Sequence, residues 1–348
     1  MRIACVYSGS IYAAWAVSDA IPLTLKAMGH EVLDLPQGRT NSRPWPSRLA
    51  EINACDVLIF SGPEHWFVSE HWFPEMVKKV VKPRLAYYHE SQFRPDRNFP
   101  FKDMLPLFDH HFYPAIQDAE SMSDHAKGRC HFLPFGADTA MFHPIPCKAC
   151  KGRGTKNGSV LAADGNTVAG ALICDTCKGS GIDLSFRGVM FGFIGMLYEK
   201  RKAFINRLGE VCTLPPEVSI LCGNVGVNDL EGPNYFESAK RLALNYNRIL
   251  CFVNLPSLSQ LAVTKVVETM ACGCCVLTPE LMGQAKANMK HLKSLYWYKD
   301  DPKQLNDLLM EAFRHPEKCV KMGLEAAKEV AAKHSVRQRL EEMLEWLT

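Results

Sequence analysis

Thr264-Lys-Val-Val-Glu268-Thr-Met-Ala-Cys-Gly273-Cys-Cys-Val-Leu-Thr278 is the stretch on which the reading of the fold turns. Apolar residues recur at helical spacing from Thr264 to Cys272, Gly273 interrupts them, and Cys274 to Thr278 is a short apolar run of strand type. Upstream, Ile249-Leu-Cys-Phe-Val253 is another such run, ending at Asn254. Strand, loop, helix and strand in this order predict a βαβ unit of a parallel sheet. A helix beginning near Thr264 points unpaired amides and a positive dipole end at whatever lies before it. Lys265 adds charge there, and Glu268, one turn in, is placed to accept two hydrogen bonds from a ribose diol. The combination suits a nucleoside diphosphate. The competing reading is a solvated first-turn glutamate that stabilises its own helix.

The alternation extends towards the N-terminus. Val189 to Ile194 reads as a strand, Gly195 as a turn, and Tyr198 opens a helix running to about Val211, with Arg201 and Lys202 near its start. Val218 to Cys222 is a further strand, ending at Gly223-Asn224.

A separate α/β pattern occupies the beginning of the chain. Arg2 to Tyr7 is a strand, Ser8-Gly9-Ser10 a small-residue turn, and a helix-like run follows to about Met28, stopped by Gly29-His30 before a strand at Glu31 to Leu35. Such a turn lets a phosphate or sugar approach the backbone, or is a plain structural turn. More strands are predicted at Asp56 to Phe60, Arg84 to Tyr88, His111 to Tyr113 and Cys130 to Leu133, each followed by a polar or Gly/Pro loop. In a parallel sheet these carboxyl-end loops bind ligands. His89-Glu90 and Glu64-His65 are the chemically notable pairs there; the alternative is that they only hydrogen-bond loop neighbours.

Between the two patterns lie two near-identical cassettes, Cys147-Lys-Ala-Cys150-Lys-Gly-Arg-Gly154 and Cys174-Asp-Thr-Cys177-Lys-Gly-Ser-Gly181. Two Cys-x-x-Cys pairs supply the four thiolates of a tetrahedral zinc site, and the glycines permit the tight turns around it. Neither pair opens a helix after a strand, as a thioredoxin-like redox site would. Lys148, Lys151, Arg153, Lys156 and Lys178 outnumber Asp164 and Asp175 in this segment. That excess is either a solvated basic face or a grip on phosphates.

The 348 residues give a prior of two domains, and 47% hydrophobic with 22% charged residues describes an ordinary globular composition. A net charge of +3 neither announces nor excludes a polyanionic partner. No run approaches the ~20 apolar residues of a membrane span, and the N-terminus reads as a strand rather than a signal peptide. Of 14 cysteines, ten lie outside the cassettes, several in apolar runs, which suits a reducing cytoplasm.

Residues 249–279, with Val267-Glu268-Thr-Met-Ala-Cys-Gly273, resemble the donor-nucleotide segment of GT-B glycosyltransferases of the group-1, CgeB-like branch. Phe193-Ile-Gly195 with Arg201 resembles that branch's glycine turn and diphosphate-binding arginine. Leu133-Pro-Phe-Gly-Ala-Asp138 to Phe142-His-Pro144 resembles its interdomain segment, and His334 to Leu344, with Arg339, its closing helix. The cassettes resemble half of the cysteine-rich zinc domain of DnaJ-type co-chaperones.

The resemblance implies an α/β protein of GT-B fold: two Rossmann-like domains facing a cleft, with a small zinc-ribbon insertion. The expected parts are an acceptor domain at 1–146, a zinc-binding insertion at 147–181, a nucleotide-sugar domain at 182–334 and a closing helix at 335–348. It implies Glu268 on the ribose, Arg201 and Lys265 on the diphosphate, Asn224 near the base and Gly9 near the sugar-phosphate, with Ser10, Gly195 and Thr264 also among the donor-binding residues. His89 holds the place of a sugar-contacting histidine; Glu90, His89 and His65 are the candidate catalytic bases. Gln260 stands where many members carry a second glutamate.

The implied donor is a nucleotide-sugar, UDP-glucose or similar, and the metal is structural zinc on Cys147, Cys150, Cys174 and Cys177. A compact enzyme of this type with a zinc module resembles phage-type enzymes that glycosylate 5-hydroxymethylpyrimidine bases in DNA, with Lys148, Lys151 and Arg153 on the acceptor. A saccharide, protein or lipid-linked acceptor is the alternative, and a non-catalytic zinc-dependent binding protein the third.

Overall fold

The computed structural model describes residues 1–7, 17–36, 47–62, 72–89, 101–151, 155–161, 167–173, 175, 182–195, 197–215, 220–223, 235–257, 263–280 and 295–347. The two predicted α/β patterns form two parallel sheets. The first holds β1 (Arg2–Tyr7), β2 (Glu31–Pro36), β3 (Val57–Ser61), β4 (Arg84–Tyr87), β5 (His110–Tyr113) and β6 (Cys130–Phe132) in the order β2-β1-β3-β4-β5-β6. Its helices are α1 (Val17–Ala27), α2 (Leu49–Asn53), α3 (Trp72–Lys78), α4 (Phe101–Met104) and α5 (Ile116–Ser123).

An antiparallel hairpin, β7 (Thr155–Leu161) with β8 (Thr167–Ile173), separates the two sheets in sequence. The second sheet holds β9 (Val189–Ile194), β10 (Ile220–Gly223), β11 (Ile249–Val253), β12 (Cys275–Pro279) and β13 (Leu295–Tyr298) in the order β10-β9-β11-β12-β13. With it go α6 (Glu199–Val211), α7 (Tyr235–Asn247), α8 (Thr264–Ala271), α9 (Pro302–Arg314), α10 (Pro316–Lys333) and α11 (Val336–Leu344). Of these, β13, α7, α9 and α10 add to the predicted elements. Prolines at the first positions of α9 and α10 punctuate them, since proline lacks only an amide that a helix start leaves unpaired.

Both sheets wind the same way. β1 lies between β2 and β3, with Ala4 opposite Leu33 and Leu58; β9 lies between β10 and β11, with Phe191 opposite Ile220 and Cys251. The chain therefore leaves β1 and β9 for one side and later returns to the other. The crevice at the carboxyl ends of such a strand pair is where open α/β sheets take ligands.

Burial on both faces explains why the strands read as unbroken apolar runs. Ile3, Cys5, Leu85 and Phe112 belong to a core that continues through Leu133, Phe135, Ala137 and Phe142 into Phe191, Phe193, Phe252 and Val267 of the second half. Ala4, Val6, Phe60 and Ala86 face a separate core with Phe73 and Phe108. The alternation along β1 is the two-residue period of a strand.

The chain returns to its first half at the end. Ala137 N donates to His334 O at 2.8 Å and Val336 N to Ala137 O at 2.9 Å. A Cβ on Gly136 would lie 2.6 Å from the Ser335 carbonyl carbon, so only glycine permits this crossing. Ser335 then caps α11 in a reciprocal box with Gln338, and α11 packs on α1.

Around the cassettes, Pro146 and Ile182 form an antiparallel bridge and Asp183 N donates to Ile145 O at 2.9 Å. The hairpin ladder begins at Thr155 opposite Ile173. Bridge and ladder bracket two stretches of equal length, 147–154 and 174–181, each carrying one cassette.

Candidate functional site

The second sheet's switch point lies between β9 and β11, and cationic side chains gather there. Phe193, next to last in β9, is fully buried and presents its ring to both. The Arg201 guanidinium carbon stands 5.1 Å from that ring's centroid and the Lys265 Nζ 5.0 Å. Arg201 is also 4.4 Å from the Tyr198 ring, and its Nε donates to Pro256 O at 3.2 Å, the same carbonyl that accepts from Tyr198 OH at 3.2 Å. Aromatic faces attract cations, but they carry no net charge to neutralise two of them. Burial, with Arg201 as a second cause, pushes the enclosed Lys265 ammonium down to about 7; burial also lowers Arg201.

Gly195 follows β9 with φ +151°, and a Cβ there would lie 2.7 Å from Lys265 Nζ. The glycine thus leaves room for the ammonium against the turn. Helix α8 starts at Thr264 after Val263, whose side chain makes no cap. Without a side-chain cap, the first turn leaves amides available to an anion.

Glu268 is 4% exposed, which overturns the reading of it as a solvated first-turn residue. Burial pushes its carboxyl up to about 8, opposed by Lys265 and by a long 3.5 Å contact from Tyr246 OH to Oε2, and reinforced by Asp138. Asp138 comes from the segment joining the halves, so that segment passes close to this carboxylate.

Two features here lay outside the sequence reading. Asn254, directly after β11, is 3% exposed and donates to Thr278 Oγ1 at 2.9 Å, while its backbone oxygen accepts from Tyr298 OH at 2.7 Å. Its Oδ1 is buried without a hydrogen-bond partner. The signal was a polar residue closing an apolar strand. Arg187 donates to the Ile249 carbonyl, to Cys272 O at 2.5 Å and to Cys274 Sγ at 3.3 Å, tying the start of β11 to the turn after α8. Nothing in its sequence neighbourhood signalled this.

On the facing half, His89 follows β4 and its Nε2 lies 3.1 Å from Ser61 Oγ at the end of β3. Its ring meets Tyr87 and Phe135 edge-on, at 5.3 and 5.9 Å. Burial lowers its pKa to about 4, so the imidazole is neutral near pH 7. The same joining segment therefore touches His89 through Phe135 and approaches Glu268 through Asp138.

The structure places Gly195, Arg201, Thr264, Lys265 and Glu268 around one strand end. Gly9, Ser10, His65, Glu90 and Asn224 lie outside the described residues, as do Arg153, Cys174 and Cys177. Cys147 and Cys150 are 1% and 0% exposed and pack as a small cluster of their own. Lys151, the residue after the second cysteine, has φ +51°, the left-handed turn the cassette glycines anticipate. Lys148 and Lys151 are exposed.

Residues 227–345 match the family model described as glycosyl transferase-like. Solved structures share the fold over the full chain. HepE from Anabaena, in complex with UDP-glucose, is 13% identical with a TM-score of 0.62, covering 100% of this chain and 99% of its own. Sucrose-phosphate synthase from Thermosynechococcus elongatus is 13% identical with a TM-score of 0.59, covering 100% and 98%. A glycosyltransferase from Rickettsia africae is 11% identical with a TM-score of 0.58, also covering 100% and 98%. No curated protein matches the chain significantly in sequence. The fold is GT-B, and residues 227–345 of its second half are glycosyl transferase-like.

Among the described residues, no helix is long and apolar enough to cross a membrane.

Proposed function

We propose that the enzyme transfers a sugar from a UDP-sugar to a hydroxyl of a polyanionic acceptor, a 5-hydroxymethylpyrimidine base in DNA. One observation carries the donor half: Arg201 and Lys265 share the Phe193 ring at the switch point, with Glu268 one turn further along α8. Two cations over one neutral ring repel each other until an anion lies between them. A diphosphate is such an anion, and a ribose diol one helical turn away would face the Glu268 carboxylate. That HepE is seen with UDP-glucose supports the choice of nucleotide.

In the reaction the bond from the sugar's anomeric carbon to the diphosphate breaks and a bond to the acceptor oxygen forms. Arg201, Lys265 and the start of α8 stabilise the charge that develops on the leaving diphosphate. The acceptor's proton passes to a base on the facing half. His89 is neutral near pH 7 and so able to accept it; Glu90 and His65 are the other candidates.

The zinc would sit on Cys147 and Cys150 with Cys174 and Cys177. Two buried thiols in a segment otherwise rich in lysine and glycine, with the left-handed Lys151 after them, fit such a site. The metal supplies structure and not catalysis, holding the hairpin and the exposed Lys148 and Lys151 where a phosphate backbone can meet them.

Incubating hydroxymethylcytosine and hydroxymethyluracil DNA with mixed UDP-sugars, then weighing the nucleosides, tests the reading. A mass gain of one hexose on a pyrimidine supports it. UDP release without any base modification would reject the DNA acceptor and leave saccharide, protein or lipid-linked acceptors; no donor consumption at all would reject catalysis.

A further inference from the structure

A second group of thiols meets inside the donor half, apart from the cassettes. Cys251 of β11 and Cys275 of β12 are register partners on adjacent parallel strands. Cys319, in α10, joins them from the helix packed over that sheet, and the three sulfurs all lie within 4.8 Å of one another. All three residues are at most 1% exposed. Met322, one turn beyond Cys319, brings its Sδ to 3.7 Å from Cys275 Sγ.

Neighbouring cysteines behave differently. Cys274 Sγ points at the carbonyls of Tyr246 and Ile249, at 3.2 and 3.4 Å, and Cys272 Sγ at that of Ala243, at 3.9 Å. Those thiols spend their hydrogens on local backbone. Cys251, Cys275 and Cys319 instead converge on one another and on a thioether, with one long contact of 3.9 Å from Cys319 to Ala312 O.

Three sulfurs around one ion at metal–sulfur bonds of ~2.3 Å stand ~4 Å apart, within the spacing observed here. A donor set of sulfur alone selects soft cations; carboxylate- and water-preferring ions such as magnesium and calcium find no oxygen ligand in this group. We propose that Cys251, Cys275 and Cys319 form a buried binding site for a cuprous ion, with the Met322 thioether beside it. Binding replaces two S–H bonds with two Cu–S bonds and releases two protons to solvent. The third sulfur donates as a neutral thiol, and the bound group carries one negative charge. No change of oxidation state is needed.

The location gives the site a consequence. Cys275 opens the strand that follows the Gly273 turn of α8, the helix carrying Lys265 and Glu268. A Cβ on Gly323 of α10 would overlap the Gly273 carbonyl oxygen, so α10 already presses on that turn. An ion joining β11, β12 and α10 would stiffen the base of the nucleotide site.

The test uses the full chain carrying Cys147→Ser, Cys150→Ser, Cys174→Ser and Cys177→Ser, which removes all four cassette thiols, under anaerobic conditions. Cu(I) is added as its acetonitrile complex, and zinc chloride in parallel, each against a competing chelator. The expected result is about one Cu(I) per chain with a sulfur-only shell by X-ray absorption, and at least a roughly tenfold weaker hold after Cys319→Ala. Copper retained unchanged in the Cys251→Ala, Cys319→Ala variant, or zinc bound in preference to copper, would overturn the assignment.

An arm without these substitutions guards against a variant that does not fold. The unaltered chain is pulsed with iodoacetamide in mild denaturant, and the labelled cysteines are mapped by mass spectrometry. Cu(I) should protect Cys251, Cys275 and Cys319 together. Equal labelling with and without copper would contradict the site.

Discussion

Lys265 and Glu268 stand one turn apart on α8, and burial drives both towards neutrality, the ammonium down to about 7 and the carboxyl up to about 8. Each opposes the other's shift by attraction, while Arg201 adds to that of Lys265. The nucleotide-free site is thus poised to change protonation when an anion arrives. A bound diphosphate favours the charged lysine, so binding of UDP near pH 8 should take up a fraction of a proton. Affinity should fall as pH rises from about 7 to 9. Calorimetry in two buffers of different ionisation enthalpy measures the uptake, and Lys265→Ala should change it by the lysine's share. An unchanged uptake in that variant would assign the proton elsewhere.

Glu268→Gln should stabilise the nucleotide-free protein while weakening its hold on the donor. The native carboxyl titrates near 8, against about 4.5 for an unperturbed one. Between these values the native state holds a proton that the unfolded chain has lost, so this group's contribution to stability falls as pH rises through the window. The amide removes that dependence. Its melting temperature should match the parent near pH 4.5 and exceed it at pH 8, by an amount equivalent to ~1–3 kcal/mol. Donor affinity should drop about tenfold, because the amide offers the ribose diol one acceptor oxygen where the carboxylate offers two.

Gly323→Ala should cost ~2–4 kcal/mol, because its new methyl group would meet the backbone of Gly273 and Cys274 rather than a side chain able to move. Gly136→Ala is a different case: its Cβ would strike Ser335 backbone at the crossing between the halves. The expected result is a loss of stability of the same order and, in the molecules that still fold, a larger loss of transfer than of UDP binding, read as kcat against Kd. Equal losses of both would mean that the crossing does not position the halves for transfer.

The alternation of apolar runs with helical spacings was legible throughout, and with it the parallel α/β class of both halves. Lys265 and Glu268 were legible because a charge and a carboxylate open a helix directly after a strand and loop. Arg187 was not: its partners are carbonyls of Ile249 and Cys272, far along the chain, and backbone acceptors leave no mark in sequence. Asn254 was visible only as a strand end, since its role depends on Thr278 and Tyr298 from the next two strands. The β7–β8 hairpin was hidden because Thr155–Leu161 and Thr167–Ile173 carry small residues, Gly158 opposite Gly170 among them, in place of an apolar and polar alternation.

Chelation of the proposed zinc should separate the two halves of the proposed function. Donor hydrolysis should survive, and transfer to DNA should fall at least tenfold. Lys148→Ala with Lys151→Ala should weaken DNA binding across sequences and reduce its salt slope by about two. A chelator effect equal on both activities would place the metal in the fold of the whole enzyme instead.

The central claim is that the second sheet's switch point binds a UDP-sugar through Arg201, Lys265 and Glu268. Its most direct test is the binding of UDP-glucose to the purified chain and to Glu268→Ala and Arg201→Ala, measured by calorimetry with folding checked by circular dichroism. The account predicts saturable one-to-one binding that weakens at least tenfold in each folded variant. Undiminished binding in both variants would contradict it.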